Sequence, residues 1–177
     1  MKTKMNISTR TSKSLFSIFL FAAFLLNGAF SFAQKADFTG NWAFNESKSQ
    51  MGEGRFRAPA SKLVVAQNET TLTIERTSKG MDGEENVLKE KYTLDGKECE
   101  NTGFMNMVKK SKVTWSADNK ALTISSTSIF ERDGNSMEIK TIEVLTVSED
   151  GKTLNIASTS ISQRGERKQA LVYEKSK

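Results

Sequence analysis

The sequence predicts an all-β domain, an antiparallel up-and-down meander of strands closed into a barrel of eight to ten strands. After residue 33, short alternating runs rich in β-branched residues are separated by polar turns. A unit of this kind occurs twice near the C-terminal end, and no segment of this part has a 3.6-residue apolar period. Short consecutive connections favour up-and-down order over a Greek key, and closing the sheet removes its exposed edges.

The repeated unit is the strongest of these observations. Residues 116–132 read SADNKALTISSTSIFER and residues 148–164 read SEDGKTLNIASTSISQR, and a fainter copy covers residues 68–78. Each of the two full copies is a polar turn followed by a strand in which Leu-x-Ile precedes Ser-x-Ser on one face. Leu122 and Ser126 therefore share a face, as do their counterparts in the second copy. This pattern predicts an interior with one apolar end and one hydroxyl-lined end.

The first 33 residues are predicted to be a signal peptide that is cleaved after Ala33. Basic residues precede an apolar run at 15–26, and small residues occupy the positions before the cut. This run is shorter than the roughly 20 residues that a membrane-spanning helix needs. Gln34, rather than a cysteine, follows the cut, so no lipid anchor is expected. The sequence thus predicts an exported product, periplasmic or secreted, with no transmembrane segment after cleavage.

The charge of the remaining 144 residues (177 − 33) is close to neutral. The chain holds 26 basic and 21 acidic residues, and the first 33 residues contain four basic and no acidic ones, which leaves 22 − 21 = +1. No basic surface argues for nucleic acid, so no nucleic-acid partner is expected. The protein is also expected to be a monomer. Cys99 is the single cysteine, which excludes an internal disulfide. It is interpreted either as a small, partly buried hydrophobe or as a reactive thiol.

The strands are predicted in chain order as follows. The first covers residues 38–45, and residues 50–61, with the single proline, form an irregular loop. Asp95-Gly96 is predicted to be a two-residue hairpin turn that needs positive φ, and residues 103–107 to be a connection at a barrel end. The other predicted strands are 62–67, 70–77, 85–94, 110–116, 122–132, 137–148, 154–162 and 168–175; the total is nine or ten.

The residues offer little for catalysis. The chain has no histidine, which removes the usual general base, the commonest transition-metal ligand and every Ser-His-Asp or Cys-His arrangement. No glycine-rich phosphate loop precedes a helix. A carboxylate pair for glycoside hydrolysis stays open, although most acidic residues are placed in turns or on outward faces. The sequence therefore predicts no catalytic residue, no metal site and no cofactor, and the protein is predicted not to be an enzyme.

Residues at both ends of the domain carry a family resemblance. Gly40-Asn41-Trp42 on the first strand resembles the Gly-x-Trp motif of the lipocalin-like (calycin) family, here of an exported bacterial type, in which the tryptophan closes the barrel base. This resemblance implies that residues 34–177 form one lipocalin-like barrel domain whose long first connection covers the cavity mouth. The strand around Tyr173 resembles the last strand of fatty-acid-binding proteins. Leu171 stands where that family places an arginine for the ligand carboxylate.

The predicted function is that of an exported carrier of a small hydrophobic or amphipathic ligand. The alternative is a non-catalytic structural or interaction module of the cell envelope with a filled barrel. An empty interior volume above about 300 Å³ would favour the carrier. The predicted ligand contacts are aromatic: Trp42, Phe44, Phe56, Tyr92, Trp115, Phe130 and Tyr173.

Overall fold

The computed structural model describes residues 34–52, 58–80, 83–103, 107–132 and 135–177. The predicted signal peptide with its cleavage site, and Phe56 in the first loop, lie outside these residues. Within the described part, no helix has the length and apolar character needed to cross a membrane.

Ten strands account for most of the described residues, which confirms the predicted all-β meander. One three-residue 3-10 turn, Glu46–Lys48, is the helical element that sequence patterning did not predict. Most strand ends lie within three residues of the predicted ones, because the alternation defines the strand body better than its ends. The strands are β1 (Gly40–Phe44), β2 (Lys62–Gln67), β3 (Thr71–Lys79), β4 (Glu85–Thr93), β5 (Glu98–Thr102), β6 (Val108–Trp115), β7 (Ala121–Arg132), β8 (Asn135–Val147), β9 (Thr153–Ser162) and β10 (Gly165–Ser176).

The strands form one antiparallel sheet in the order β4-β3-β2-β1-β10-β9-β8-β7-β6-β5. Neighbours in this order are also neighbours in the chain, except where β1 pairs with β10 and joins the two halves. The result is a nearly closed up-and-down barrel with β4 and β5 at the two edges of the sheet.

The predicted hairpin at Asp95-Gly96 is wrong in one respect. Gly96 has the expected positive φ of 76°, but β4 and β5 share no ladder in the described part of the sheet. A side chain bridges this seam instead, since the backbone N–H of Lys91 donates to Oδ1 of Asn101 at 2.7 Å. Cys99 on β5 is half-buried, and its Sγ lies 3.4 Å from the carbonyl oxygen of Ser111. The turn residues thus predicted the reversal of the chain correctly, but they did not predict whether β4 and β5 pair.

The segment before β1 spans one end of the barrel. Its Phe38 is fully buried, and the indole N–H of Trp42 donates to the Phe38 carbonyl at 3.0 Å. The Gln67 side chain at the end of β2 bonds the backbone of Phe38 at 3.2 Å and of Ala36 at 2.9 Å. The Ala36 N–H also donates to Asn119, in the β6–β7 turn, at 2.9 Å. Because these contacts reach from β2 to the β6–β7 turn, the segment closes the base of the barrel.

The interior above this base is apolar. Leu122 and Ile124 of the first repeat, like their counterparts in the second, are fully or almost fully buried, and Ser126 follows on the same inward face. The apolar core comprises Phe38, Trp42, Leu63, Val65, Leu72, Ile74, Tyr92, Leu94, Val113, Leu122, Ile124, Leu145, Leu154, Ile156, Leu171 and Tyr173. The interior therefore changes from apolar to hydroxyl-lined along each repeated strand.

The two repeats also build the same turn. Ser116 Oγ donates to Asp118 Oδ1 at 2.6 Å, and Ser148 Oγ donates to Asp150 Oδ1 at 2.6 Å. Each aspartate also accepts the backbone N–H two residues on, at 3.1 Å in both turns. The serine hydrogen bond, followed by the backbone one, lowers the pKa of both aspartates. The repeat in sequence is thus a repeat in hydrogen bonding.

The left-handed position of these turns gives a first prediction. Gly151 has φ +67°, and a Cβ added there would meet nothing within 4 Å. Asn119 occupies the equivalent position with φ 58°. Gly151→Val should lower the free energy of unfolding by about 1–2 kcal/mol, because a β-branched residue is strained at positive φ. Urea denaturation of Gly151→Val against Gly151→Asn measures this loss. A valine variant as stable as the asparagine variant would contradict it.

Candidate functional site

A cavity of about 320 Å³ opens on the interior at the end away from the base. It lies between the start of β8, the end of β9 and the first half of β10. Its lining residues are Met137, Ile139, Ser158, Ser160, Ser162, Arg164, Arg167 and Gln169.

The repeated strand explains one wall of this cavity. Alternation along β9 turns Ser158, Ser160 and Ser162 to the same side as the buried Leu154 and Ile156. Small side chains on the inward face of a barrel leave volume that larger ones would fill. The hydroxyl wall is therefore the direct consequence of the Ser-x-Ser motif.

The strand next to the serines, β8, contributes an apolar part of the lining. Met137 and Ile139 come from β8, where the next inward residue, Thr141, lies with its Oγ1 3.3 Å from Ser160 Oγ. Gln169 pairs with Ser158 across β9 and β10. The cavity lining is thus amphipathic, with the hydroxyls of β9 between hydrocarbon from β8 and polar side chains from β10.

The mouth of the cavity carries two arginine side chains. Arg164 and Arg167 belong to the lining, and the residues that line it include no carboxylate among those that the structure describes. Arg164 lies in the β9–β10 turn, where its backbone N–H donates to Ser162 Oγ at 3.1 Å. Guanidinium groups at an open mouth can bind carboxylate, sulfonate or phosphate groups.

A network of four charged side chains crosses the middle of the interior. Arg76 on β3 bonds Glu90 on β4 through Nε at 3.0 Å and Glu143 on β8 through Nη2 at 2.9 Å. Lys109 on β6 lies 2.7 Å from the other Glu90 oxygen and 3.4 Å from the Tyr92 hydroxyl. Two cations therefore meet two carboxylates, and the formal charge of the network is zero.

The geometry of the network holds Glu90 and Arg76 in their charged forms. Burial alone would raise the pKa of Glu90, but Arg76 and Lys109 outweigh it and hold that pKa below its usual value. Burial would lower the pKa of Arg76, and Glu143 with Glu90 instead raises it. Burial, followed by the Glu90 charge, raises the pKa of the Tyr92 hydroxyl well above its usual value. Burial likewise raises the pKa of Tyr173 to about 12. Both tyrosine hydroxyls are therefore neutral at physiological pH.

The exposed fractions show which members of the network face open space. Only 1% of the Glu90 side chain is exposed, whereas Arg76, Lys109 and Glu143 keep 16%, 14% and 12%. Glu143 also pairs directly with Ser158, the innermost serine of the cavity wall. The network therefore adjoins the inner end of the cavity through Glu143, although none of its four members belongs to the lining.

The predicted aromatic contacts lie elsewhere. Trp42, Tyr92 and Tyr173 are completely or almost completely buried in the core. Phe44 is half-buried, with its ring centroid 5.5 Å from that of Tyr173. None of the six predicted aromatic contacts that the structure describes belongs to the cavity lining. A role for them in ligand contact stays a prediction.

The other two predicted contacts, Trp115 and Phe130, are also half-buried. Trp115 stacks on Phe38 with ring centroids 6.0 Å apart, and Lys35 Nζ lies 5.3 Å from the Trp115 ring centre. This places Trp115 at the closed base. Phe130 lies near the far end of β7, on the same face as Ser126.

The charged network was missed because acidic residues were assigned to turns and outward faces. Alternation does place these residues inward, since Arg76 follows Leu72 and Ile74 on one face and Glu143 precedes Leu145. The alternation therefore indicates inward positions for Arg76 and Glu143, but charged residues in strands are by default interpreted as solvated. No group of three or more His, Cys, Asp or Glu that could hold a metal ion occurs in the described part of the chain.

Comparison with known proteins identifies the fold. Family models and curated protein sequences give no match to this chain. Among solved structures, it is similar to the zebrafish ileal bile acid-binding protein complexed with cholic acid, with a TM-score of 0.51 and 20% identity. The match covers 78% of this chain and 98% of that one. The predicted lipocalin-like barrel is therefore confirmed at the level of the fold.

Proposed function

We propose that this barrel binds a small amphipathic ligand in the serine-lined cavity. The observation that carries the proposal is the cavity itself, whose volume of about 320 Å³ lies within the usual range of ligand sites. Serine hydroxyls both donate and accept hydrogen bonds, so the wall that they form suits a ligand with hydroxyl groups on one side. Met137 and Ile139, on the adjacent strand, suit a hydrocarbon surface next to those hydroxyl groups.

We further infer that the protein acts as an exported carrier, in the periplasm or as a secreted protein. The sequence of residues 1–33 supports export, and the lack of histidine argues against most nucleophilic catalysis. A non-catalytic module of the cell envelope is the second candidate. The apolar base and the charged network favour it, because they fill much of the interior and leave the cavity at one end.

A titration with cholic acid tests the carrier, since this molecule combines hydroxyl groups, an apolar ring system and one carboxylate. The wild type should bind it, and Ser160→Leu should weaken the binding about tenfold or more by filling the cavity. Asn155→Leu is the matched control, because Asn155 is an exposed residue on the outward face of the same strand. Isothermal titration calorimetry measures both affinities.

Two results would contradict the cavity as the binding site. Equal affinities of the leucine variants would show that the ligand lies elsewhere. Strong quenching of tryptophan fluorescence in the wild type would favour the predicted aromatic contacts, because neither Trp42 nor Trp115 lines the cavity. Absence of binding to any amphipathic probe would favour the envelope module.

A further inference from the structure

We propose, building on the proposed ligand-binding function, that the inner end of the bound ligand is uncharged and carries hydroxyl groups. In this proposal Glu143 is the residue that determines specificity, because it excludes an ionised acid group from the inner end of the cavity. The ionised end of an amphipathic ligand then stays at the mouth.

The position of Glu143 is the first step of the argument. Inward residues along β8 run from Ile139 in the cavity wall through Thr141 to Glu143. Glu143 pairs across the sheet with Ser158, and 12% of its side chain remains exposed. A ligand that fills the cavity along its length therefore ends beside this carboxylate.

The charge balance around Glu143 is the second step. The nearest cation, Arg76, is already bonded to Glu143 at 2.9 Å and to Glu90 at 3.0 Å. Lys109 is bonded to Glu90 at 2.7 Å. A ligand carboxylate at this point would meet no uncompensated cation and would be repelled by Glu143 in a poorly solvated interior. A ligand hydroxyl could donate to Glu143 and to the serines at no such cost.

The mouth supplies the contrast that sets the orientation. Two arginines and no carboxylate belong to the cavity lining among the described residues. Binding sites reject competing ligands by combining attraction for the correct ligand with repulsion of the wrong one. In this cavity the arginines would attract an acid group at the mouth, and Glu143 would repel one at the inner end. An acid group is accepted at the mouth and rejected at the inner end.

Two probes of equal length separate these ends. ω-Hydroxydecanoic acid and decanedioic acid both offer one carboxylate for the mouth, and they differ only in whether the other end is a hydroxyl or a second carboxylate. Calorimetric titration of the wild type should show the hydroxy acid binding about tenfold tighter or more. In Glu143→Gln the diacid should gain affinity and the ratio should fall towards one, while the hydroxy acid keeps its affinity.

A control variant makes the test specific. Glu138→Gln removes an exposed carboxylate of the same strand, 3.0 Å from Lys140, and should leave the ratio unchanged. Equal binding of the two acids by the wild type would overturn the inference without any variant, and the assignment to Glu143 is tested by a Glu143→Gln variant that is shown to fold.

The outcomes are distinguishable from those of the proposed function. Equal binding of the two acids by the wild type, or an unchanged ratio in a folded Glu143→Gln variant, would overturn this inference and leave ligand binding intact. If neither acid nor cholic acid bound, both the proposed function and this inference would be overturned.

Discussion

Arg76→Met should lower the free energy of unfolding by about 3–5 kcal/mol at neutral pH, because it leaves buried carboxylates without their shared cation. Glu90 is the residue most affected, since 1% of its side chain is exposed and Lys109 alone would remain beside it. Methionine keeps much of the length of the arginine side chain, so the loss reports charge more than packing. Urea denaturation followed by far-ultraviolet circular dichroism measures it.

Lys89→Met is the matched control for this variant. Lys89 also bridges to a neighbouring strand, with its Nζ 2.6 Å from Glu75, but 66% of its side chain is exposed. Ion pairs in solvent contribute about 1 kcal/mol or less, so this variant should be almost as stable as the wild type. Similar losses in the two variants would mean that the interior network has no special role in stability.

The effect of Arg76→Met should also depend on pH. The pKa of Glu90 is lower in the folded protein than its usual value. The stability that this difference contributes is present above the unfolded pKa, which is near 4.3 for glutamate, and is lost as the pH falls through the folded pKa. The gap between wild type and Arg76→Met should therefore be largest at neutral pH and shrink in acid. A gap that stayed constant down to about pH 3 would contradict the assignment.

The parts of the fold that sequence predicted well depend on local rules. Alternation located the strand bodies, and the Ser-x-Asp turns at 116–120 and 148–152 fold alike because each is stabilised by its own hydrogen bonds. The seam between β4 and β5 depends instead on where two edges meet after the sheet has curled. It is bridged by Asn101 and by Lys109, which contacts Glu90 from 19 positions away. No local pattern contains that information.

The charged network could not be predicted either, because it also depends on contacts between residues far apart in the chain. Arg76 and Glu143 are 67 positions apart and come together only across the barrel interior. A charged residue at an inward position is read as solvated unless its partner is known, because unpaired buried charge is too costly. The pairing itself is a product of the closed fold.

The location of the cavity shows a further limit of the sequence interpretation. Large aromatic residues were predicted to contact ligand, but in the described structure Trp42, Tyr92 and Tyr173 fill the core. The open volume lies where the second repeat places Ser158, Ser160 and Ser162. Interior space in a small barrel is found where side chains are small. The hydroxyl-lined end of the predicted interior therefore coincides with the cavity, and ligand contact by the aromatic residues stays a prediction.

Trp42→Ala should cost about 3–5 kcal/mol of unfolding free energy, as the truncation of a large core residue. Trp42 is completely buried, and its indole N–H donates to the Phe38 carbonyl at 3.0 Å. The truncation would therefore leave both a void and a carbonyl without this donor at the closed base. Lys175, whose Nζ lies 5.4 Å from the Trp42 ring centre, would lose its aromatic contact as well. Thermal and urea denaturation measure the loss.

Trp115→Ala provides the comparison, because Trp115 lies at the same base but is half-buried. Its indole nitrogen is buried without a hydrogen-bond partner among the described residues, so its removal breaks no such bond. The loss should be smaller than for Trp42→Ala, and comparable losses would contradict the assignment of Trp42 as the residue that closes the base. At a temperature where both variants remain folded, each should bind cholic acid as the wild type does, because the serine-lined cavity is at the other end of the barrel. Weakened binding by a folded tryptophan variant would instead place the ligand among the aromatic residues of the base.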